Sequence, residues 1–270
     1  AARRIPARLP GGTLTAGLGG DEFACVVPSD PRQPEAVDHL TAKLIDAISQ
    51  PVAYQSVALE ATISAGITRS DAEGGQLDSQ TLLHMADIAM YHAKKQGKNR
   101  YFWFEPSMES ELRFRSELEA GIRRGVHLGE FVPYYEKQVD IATGEIVGFE
   151  MLARWNSPTL GLISPEIFIP IAEEIGVIAE LSESLIRQAL IDARQWNPRL
   201  TLSVNISPIQ LRDPWFAQKL LKMLVEANFP PSRLDIEVTE SCLHENVGMV
   251  RTLITSLKNQ GVKVSLDDFG

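Results

Sequence analysis

Glu145-Ile-Val-Gly-Phe-Glu-Met-Leu-Ala-Arg154 is the first of four apolar, strand-like segments in the second half of the chain. The other three are Leu200-Thr-Leu-Ser-Val-Asn205, Arg233-Leu-Asp-Ile-Glu-Val-Thr-Glu240 and Val262-Lys-Val-Ser-Leu-Asp-Asp268. Helical patterns separate these segments along the chain. Because strands that alternate with helices pack as parallel neighbours, the pattern predicts a parallel sheet that forms part of a barrel.

Each of the four segments has an oxygen-bearing side chain at or near its carboxyl end: Glu150, Asn205, Glu237 and Asp267. The carboxyl ends of barrel strands meet at one mouth, so we expect these side chains to converge. Three carboxylates that lie close together repel one another unless a cation sits between them. Oxygen ligands favour Mg²⁺ or Mn²⁺ over Zn²⁺. A single acid at a strand end is usually a cap or loop contact, and the agreement of four strand ends is what predicts a metal site.

Composition limits the classes of protein to which the chain can belong. Its 270 residues are enough for one large or two ordinary domains, and 44% hydrophobic with 23% charged residues is typical of a globular protein. A net charge of −9 argues against a broad nucleic-acid-binding face, so we expect no nucleic-acid partner. Two cysteines without a CxxC motif indicate neither a disulfide framework nor a thiolate metal site, which fits a reducing cytoplasm.

The first half of the chain predicts an α+β layout. Strand-like residues 13–18 and 24–28 flank Gly19-Gly20-Asp21-Glu22, which predicts a β-hairpin with two glycines and two acids at its tip. By turn chemistry alone, this tetrapeptide is an ordinary turn. We further expect a helix over 34–50, one strand over Val57–Ile67, a helix over Gln80–Lys95 and a short edge strand over Tyr101–Phe104.

Two runs in this half carry a resemblance to a known family. Gly19-Gly20-Asp21-Glu22-Phe23 is the intact signature of the GGDEF domains of diguanylate cyclases, and Ala86–Arg100 is similar to that family's closing helix and loop. The resemblance implies a GTP site to which Gly19, Gly20, Asp21, Glu22, Lys94 and Lys98 contribute. In it the glycines let the backbone approach the nucleotide, the acids bind metal or take part in catalysis, and the lysines contact phosphates.

The first half also departs from the GGDEF pattern. The family's first strand, which carries another metal-binding Asp, would lie before residue 1. The inhibitory Arg-x-x-Asp pattern ahead of the signature is replaced by Pro10 and Thr13. We therefore do not predict feedback binding of the product at that place.

The second half resembles the EAL-type phosphodiesterases of cyclic di-GMP from about residue 115 onward. Glu150-Met151-Leu152 stands where the family has Glu-Ala-Leu, and the match continues through Arg154, Asn205-Ile-Ser207, Glu237-Val-Thr-Glu240 and Asp267-Asp268-Phe269-Gly270. The resemblance implies metal ligands at Glu150, Asn205, Glu237, Asp267 and Asp268. It implies catalytic roles for Glu150, Asp267 and Asp268, and substrate binding by Leu152 and Arg154.

The implied reaction is attack of water on one 3′–5′ phosphodiester of cyclic di-GMP, which gives linear pGpG. Two Mg²⁺ or Mn²⁺ ions about 4 Å apart would activate the water and neutralise charge on the attacked phosphate. The GGDEF part would bind GTP in a regulatory role. Two alternative functions stay open at this point: an inactive cyclic di-GMP receptor and a bifunctional protein with cyclase activity. A homodimer formed through the EAL domain also stays open.

Departures from the EAL pattern shape the expected domain organisation. Glu136-Lys137 replaces the family's Gln-Pro, and the family's downstream Lys and a further acid would lie beyond Gly270. We therefore predict the C-terminal part of a GGDEF domain over 1–106, a linker helix over 107–125, and the N-terminal part of an EAL-type TIM-like (β/α) barrel over 126–270. Glu173 and Glu174 are expected to be surface charge. The expected location is cytoplasmic, with membrane attachment through a preceding region left open.

Overall fold

The computed structural model describes residues 5, 8–54, 57–71, 77–239 and 247–267. The chain divides into two compact units, Ala1–Arg115 and Ser116–Gly270. This division falls inside the segment 107–125 that the sequence predicts as a linker, and a single helix runs across it. Among the described residues, no helix is both long and apolar enough to cross a membrane.

The first unit contains short strands and two long helices. Its elements are β1 Leu14–Gly19, β2 Glu22–Val26, α1 Glu35–Ser49, β3 Val52–Tyr54, β4 Val57–Leu59, β5 Ala65–Ile67, α2 Ser79–Lys95, β6 Tyr101–Trp103 and the start of α3 Pro106–Leu128. The pairs β1–β2 and β3–β4 are antiparallel, whereas β5–β6 is parallel. The predicted hairpin and the predicted strand at Tyr101 are therefore confirmed.

The prediction of one continuous strand over Val57–Ile67 is wrong. The segment forms β4 and β5, which pair with different strands. Gly66 in β5 lies directly against α2, since a Cβ added there would be 1.8 Å from the Ala86 carbonyl oxygen. Close packing of β5 on a helix, rather than local strand propensity, sets the bounds of this strand.

The second unit is built on one sheet with helices packed against it. Its elements are β7 Phe131–Val139, β8 Ile146–Ser157, β9 Gly161–Ile163, α4 Pro165–Glu174, α5 Ile178–Ala193, β10 Thr201–Asn205, α6 Phe216–Glu226, β11 Leu234–Thr239, α7 Val247–Asn259 and β12 Lys263–Asp267. The strand order is β12-β11-β10-β8-β7, with β9 paired to β8. Because β8, β10, β11 and β12 run parallel, the predicted parallel sheet is confirmed, and β7 pairs antiparallel to β8 at its edge.

The core of this unit is anchored by Trp155, which is fully buried. Its ring stacks on Phe131 at 5.3 Å between centroids, and its indole nitrogen donates to Glu130 Oε2 at 3.0 Å. Helix α3 presents Gly121 to the same ring, and a Cβ there would lie 2.9 Å from the indole. The absence of a side chain at this position of α3 therefore allows the helix to pack closely on Trp155.

Candidate functional site

The strand register places Glu150, Asn205 and Glu237 on one face of the sheet. Ser203 in β10 is opposite Glu150 in β8, and Asn205 is opposite Glu237 in β11. Side chains two residues apart on a strand point to the same face, so Asn205 shares the face of Ser203 and of Glu150. The Asn205 Nδ2 donates to Glu150 Oε1 at 2.7 Å. Two of the predicted site residues, 55 positions apart, are thus in direct contact.

Glu237 receives a hydrogen bond from a residue that the sequence did not indicate. Gln138 in β7 donates from Nε2 to Glu237 Oε1 at 3.2 Å. The Gln138 amide oxygen accepts from the hydroxyl of Ser203 at 3.1 Å. Gln138 therefore connects a buried hydroxyl to one of the predicted ligands. No local motif marks this glutamine, because its partners are distant in the chain.

Asp267, another predicted ligand, is the final residue of β12. Ser265 is opposite Glu237 and Asp267 is opposite Thr239, so the backbone of Asp267 lies two residues along β12 from the position opposite Glu237. The side chain of Asp267 and the whole of Asp268 lie outside the described residues. Within the described ranges, no group of three or more His, Cys, Asp or Glu is placed to hold a metal ion.

The donor set that is described fits a hard divalent cation. Glu150, Asn205 and Glu237 supply carboxylate and amide oxygens only, which suit Mg²⁺ or Mn²⁺. Both glutamates are half-buried and Asn205 is exposed, so the face is open to ligands from solvent. With Asn205 donating its nitrogen to Glu150, the amide oxygen is left for a cation. The metal site stays a prediction that this chemistry supports.

Leu152 and Arg154 extend along the same face of β8 beyond Glu150. The Arg154 guanidinium lies over the Tyr134 ring, with its carbon 5.5 Å from the ring centroid, and donates to the Ala153 carbonyl oxygen at 2.9 Å. Both Leu152 and Arg154 are half-buried. Along this face, the Glu150 carboxylate is followed by the apolar side chain of Leu152 and then by the Arg154 guanidinium. This arrangement suits a phosphate-bearing ligand.

Glu136 lies directly opposite Glu150 on the antiparallel neighbour β7. Cross-strand neighbours have Cβ atoms about 4.5–5.5 Å apart, and like charges at that spacing are destabilising. The glutamate that replaces the family's glutamine thus adds negative charge beside a predicted ligand. This extra charge increases the local preference for a cation.

Glu173 is not simple surface charge, and that prediction is wrong. It is half-buried in α4 and accepts a hydrogen bond from the hydroxyl of Ser207. The backbone nitrogen of Ser207 donates to the buried Gln210 side chain at 3.3 Å, and that of Ile206 donates to the Glu237 carbonyl at 3.0 Å. These bonds fix the chain directly after Asn205. Glu174, by contrast, is exposed, as predicted.

Tyr135 connects β7 to helix α5 through a hydrogen bond. Its hydroxyl donates to Asp192 Oδ2 at 2.6 Å, and its ring meets Trp196 edge-on at 5.0 Å between centroids. Burial, and next the hydrogen bond to the Asp192 carboxylate, raise the pKa of Tyr135 above its ordinary value. The tyrosine therefore stays protonated and serves to hold the strand that carries Gln138.

The hairpin of the first unit presents its signature to solvent. Gly19 and Gly20 have φ angles of 135° and 57°, which side-chain-bearing residues rarely adopt. Asp21 and Glu22 are exposed at the tip. Lys94 near the end of α2 and Lys98 just after it are exposed as well. The turn explains both glycines, and the GTP-binding role of the six residues remains a prediction.

Two family models match the chain in tandem. The model described as "Diguanylate cyclase, GGDEF domain" matches residues 1–100, and the model described as "EAL domain" matches residues 119–270. The predicted order of the two domains is thereby confirmed.

Known proteins match the chain across its length. A protein of Caulobacter vibrioides described as an uncharacterized signaling protein is 35% identical over 269 residues, which is 100% of this chain and 33% of that protein. The bifunctional diguanylate cyclase/cyclic di-GMP phosphodiesterase MucR of Pseudomonas aeruginosa is 34% identical over 273 residues, which is 100% of this chain and 39% of MucR. The chain thus spans between about a third and two fifths of the length of these relatives.

A solved structure shares the fold of the second unit. The structure described as "PaMucR Phosphodiesterase, c-di-GMP complex" superposes with a TM-score of 0.55 at 30% identity, and covers 57% of this chain and 64% of that one. That protein is described with cyclic di-GMP bound.

Proposed function

This chain belongs to the EAL domain family, with a GGDEF domain ahead of the EAL domain, and we propose that it hydrolyses cyclic di-GMP to linear pGpG with Mg²⁺ or Mn²⁺. The observation that carries the proposal is the contact between Asn205 and Glu150, with Glu237 in register on the next strand. MucR is described as a bifunctional diguanylate cyclase/cyclic di-GMP phosphodiesterase, and the MucR phosphodiesterase structure is described as a cyclic di-GMP complex; both descriptions support the choice of substrate.

The side chains have distinct roles in this proposal. Glu150, Asn205, Glu237 and Asp267 would hold one cation, and Asp268 would help to hold a second. When bound, the ions supply the positive charge that activates water and stabilises the phosphate in the transition state. Asn205 orients the Glu150 carboxylate through its amide nitrogen. Arg154 binds a phosphate oxygen, and Leu152 packs against the ligand beside it.

Hydrolysis can be tested by following pGpG formation from cyclic di-GMP by chromatography, with and without Mn²⁺ or Mg²⁺. Glu150→Gln removes one carboxylate charge at nearly constant volume, and we expect it to lower turnover about 10²-fold or more. Glu166→Gln is the matched control, because Glu166 is exposed in the first turn of α4. Turnover that survives chelation, or that Glu150→Gln leaves unchanged, would refute metal-dependent hydrolysis at this site.

The same assay separates the enzyme from a receptor. A protein that only senses cyclic di-GMP would bind it in the presence of chelator and release no pGpG from it. Calorimetric titration with cyclic di-GMP in chelator, set beside the turnover measurement in Mn²⁺, distinguishes the two functions. Binding without turnover in the full-length protein would favour the receptor.

The GGDEF domain is proposed to bind GTP and to regulate hydrolysis. Its intact signature at an exposed hairpin tip supports nucleotide binding, and the bifunctional character given in the description of MucR favours cyclase activity as a second candidate function. Adding GTP to the hydrolysis assay tests regulation, and incubating the full-length protein with GTP alone tests synthesis of cyclic di-GMP. Asp21→Asn should abolish either effect without changing basal hydrolysis.

A further inference from the structure

The Gln138 side chain lies between the buried hydroxyl of Ser203 and the predicted metal ligand Glu237. Its side chain accepts from the hydroxyl of Ser203, which is 1% exposed, and donates to the carboxylate of Glu237. We propose that Gln138 is a positioning residue, which orients Glu237 for the cation and thereby sets the metal affinity of the site. This inference rests on the proposed function, because it concerns the same cation.

The polarity of the amide defines its orientation. The Glu237 carboxylate can only accept, so it must face the Gln138 Nε2 group at 3.2 Å rather than the oxygen. The Gln138 oxygen then faces Ser203 Oγ at 3.1 Å, where the hydroxyl can donate. Each atom of the amide thus has a partner of matching character. Because the serine is buried, this end of the glutamine is held in place while the other end reaches the carboxylate.

The backbone beneath Gln138 makes room for its side chain. The residue opposite Gln138 on β8 is Gly148. A Cβ on Gly148 would lie 3.3 Å from the Gln138 Oε1 atom and 2.3 Å from Thr201 Oγ1. Absence of a side chain at this position therefore leaves the space through which the glutamine extends toward β10 and β11.

A neutral amide suits this task better than a charged donor. Asn205 donates to Glu150 as Gln138 donates to Glu237, so both glutamates of the predicted site have an amide partner. A lysine or arginine would hold the carboxylate more tightly, but its positive charge would compete with the cation. A neutral amide orients a carboxylate without neutralising its negative charge. Partners of this kind typically change metal affinity 10- to 100-fold when they are removed.

The test is direct titration of the full chain with Mn²⁺ by calorimetry or by electron paramagnetic resonance of the free ion. Gln138→Met keeps the length of the side chain and removes both hydrogen bonds. We expect it to lower Mn²⁺ affinity about 10- to 100-fold. The matched control is Gln188→Met, because the exposed Gln188 also donates to a carboxylate, Asp192 Oδ1 at 2.9 Å, but does so on α5. The control should bind Mn²⁺ as the unaltered chain does.

A second pair of variants keeps the test decisive if Gln138→Met does not fold, as judged by circular dichroism. Ser203→Ala frees the amide at its buried end and should lower Mn²⁺ affinity in the same direction, by less. Gln138→Glu retains the acceptor for Ser203 but sets a second carboxylate beside Glu237. The two acids then resist joint ionisation, so Mn²⁺ binding should move to higher pH.

The outcomes separate this inference from the proposed function. Equal Mn²⁺ affinity in the unaltered chain and in folded Gln138→Met, with no shift in the pH profile of Gln138→Glu, overturns the positioning role alone. Absence of Mn²⁺ binding by the unaltered chain overturns both the positioning role and metal-dependent hydrolysis. Loss of affinity in Gln138→Met together with retention in Gln188→Met supports the positioning role.

Discussion

Substitution of Gly148 by alanine should destabilise the second unit through one identifiable contact. Gly148 is buried in β8, two residues before Glu150. An added Cβ would meet Thr201 Oγ1 at 2.3 Å and the Thr201 carbonyl oxygen at 2.7 Å. The hydroxyl can rotate away, but the carbonyl belongs to the backbone of the neighbouring strand β10. Relief of the contact therefore requires β8 and β10 to separate locally.

The magnitude follows from the kind of atom that must move. Overpacking a well-packed core by one methyl costs about 1–3 kcal/mol, and a clash with backbone places Gly148→Ala at about 2–3 kcal/mol. For a domain of this size, each kcal/mol lowers Tm by about 2–4 °C. We therefore expect the unfolding of the second unit to move down by about 4–12 °C.

Tryptophan fluorescence during thermal and urea unfolding of the full chain measures this loss. Trp196 packs against Phe149, the next residue after Gly148, with ring centroids 4.9 Å apart, so it reports on the altered strand. Gly248→Ala in α7 is the control, because within the described residues no heavy atom lies within 4 Å of its added Cβ. Helix propensity predicts that the control is neutral or slightly stabilising. Equal midpoints for Gly148→Ala and the unaltered chain would refute the close approach of β8 and β10.

Three further outcomes are expected. Trp155→Ala should cost about 3–5 kcal/mol in urea unfolding, because it empties a fully buried site and leaves Glu130 without the indole donor; a loss below 1 kcal/mol would contradict the packing. Tyr135→Phe should cost about 1 kcal/mol, since the Asp192 carboxylate loses its hydroxyl donor, and an unchanged midpoint would show that water replaces the hydroxyl without loss. Hydrogen bonds from the turn backbone lower the pKa of Asp140. The ionised Asp140 carboxylate should therefore stabilise the fold at neutral pH, and this stabilisation should fade as pH falls through the lowered pKa. Asp140→Asn should flatten this part of the pH–stability curve.

Much of the second unit is readable from its sequence because the relevant signals are local. Short apolar runs indicate the strands, and segments with helical periodicity indicate the helices between them. Because strands and helices alternate, the strands are expected to pair in parallel, whatever the loops contain. Asn205 and Glu237, near the carboxyl ends of β10 and β11, mark a shared edge for the same reason. The antiparallel β7–β8 pair follows from its short connection. In the first unit, the adjacent glycines at 19 and 20 mark the hairpin, since their φ angles exclude most other residues.

Predictions failed where contacts between distant residues override local preference. The segment Val57–Ile67 has the composition of one strand, yet its two halves pair with different neighbours. Glu173 has the pattern of a surface acid, yet a serine 34 positions later donates to it. Neither partner lies near enough in the chain to leave a periodic signal.

The sequence by itself determined that this protein has two domains in tandem, a parallel sheet in the second, and Asn205 and Glu237 near the carboxyl ends of their strands; Glu150, expected at a strand end, instead lies in the middle of β8. Only the tertiary structure decided how these side chains are oriented: Asn205 turns its nitrogen to Glu150, and Gln138 reaches Glu237 from 99 residues away. The physical reason is that the apolar pattern of a segment indicates which of its residues are buried, and its alternation with helices indicates that neighbouring strands run parallel. The hydrogen-bond partners of a side chain depend instead on the register between strands. Register becomes defined only when the sheet assembles.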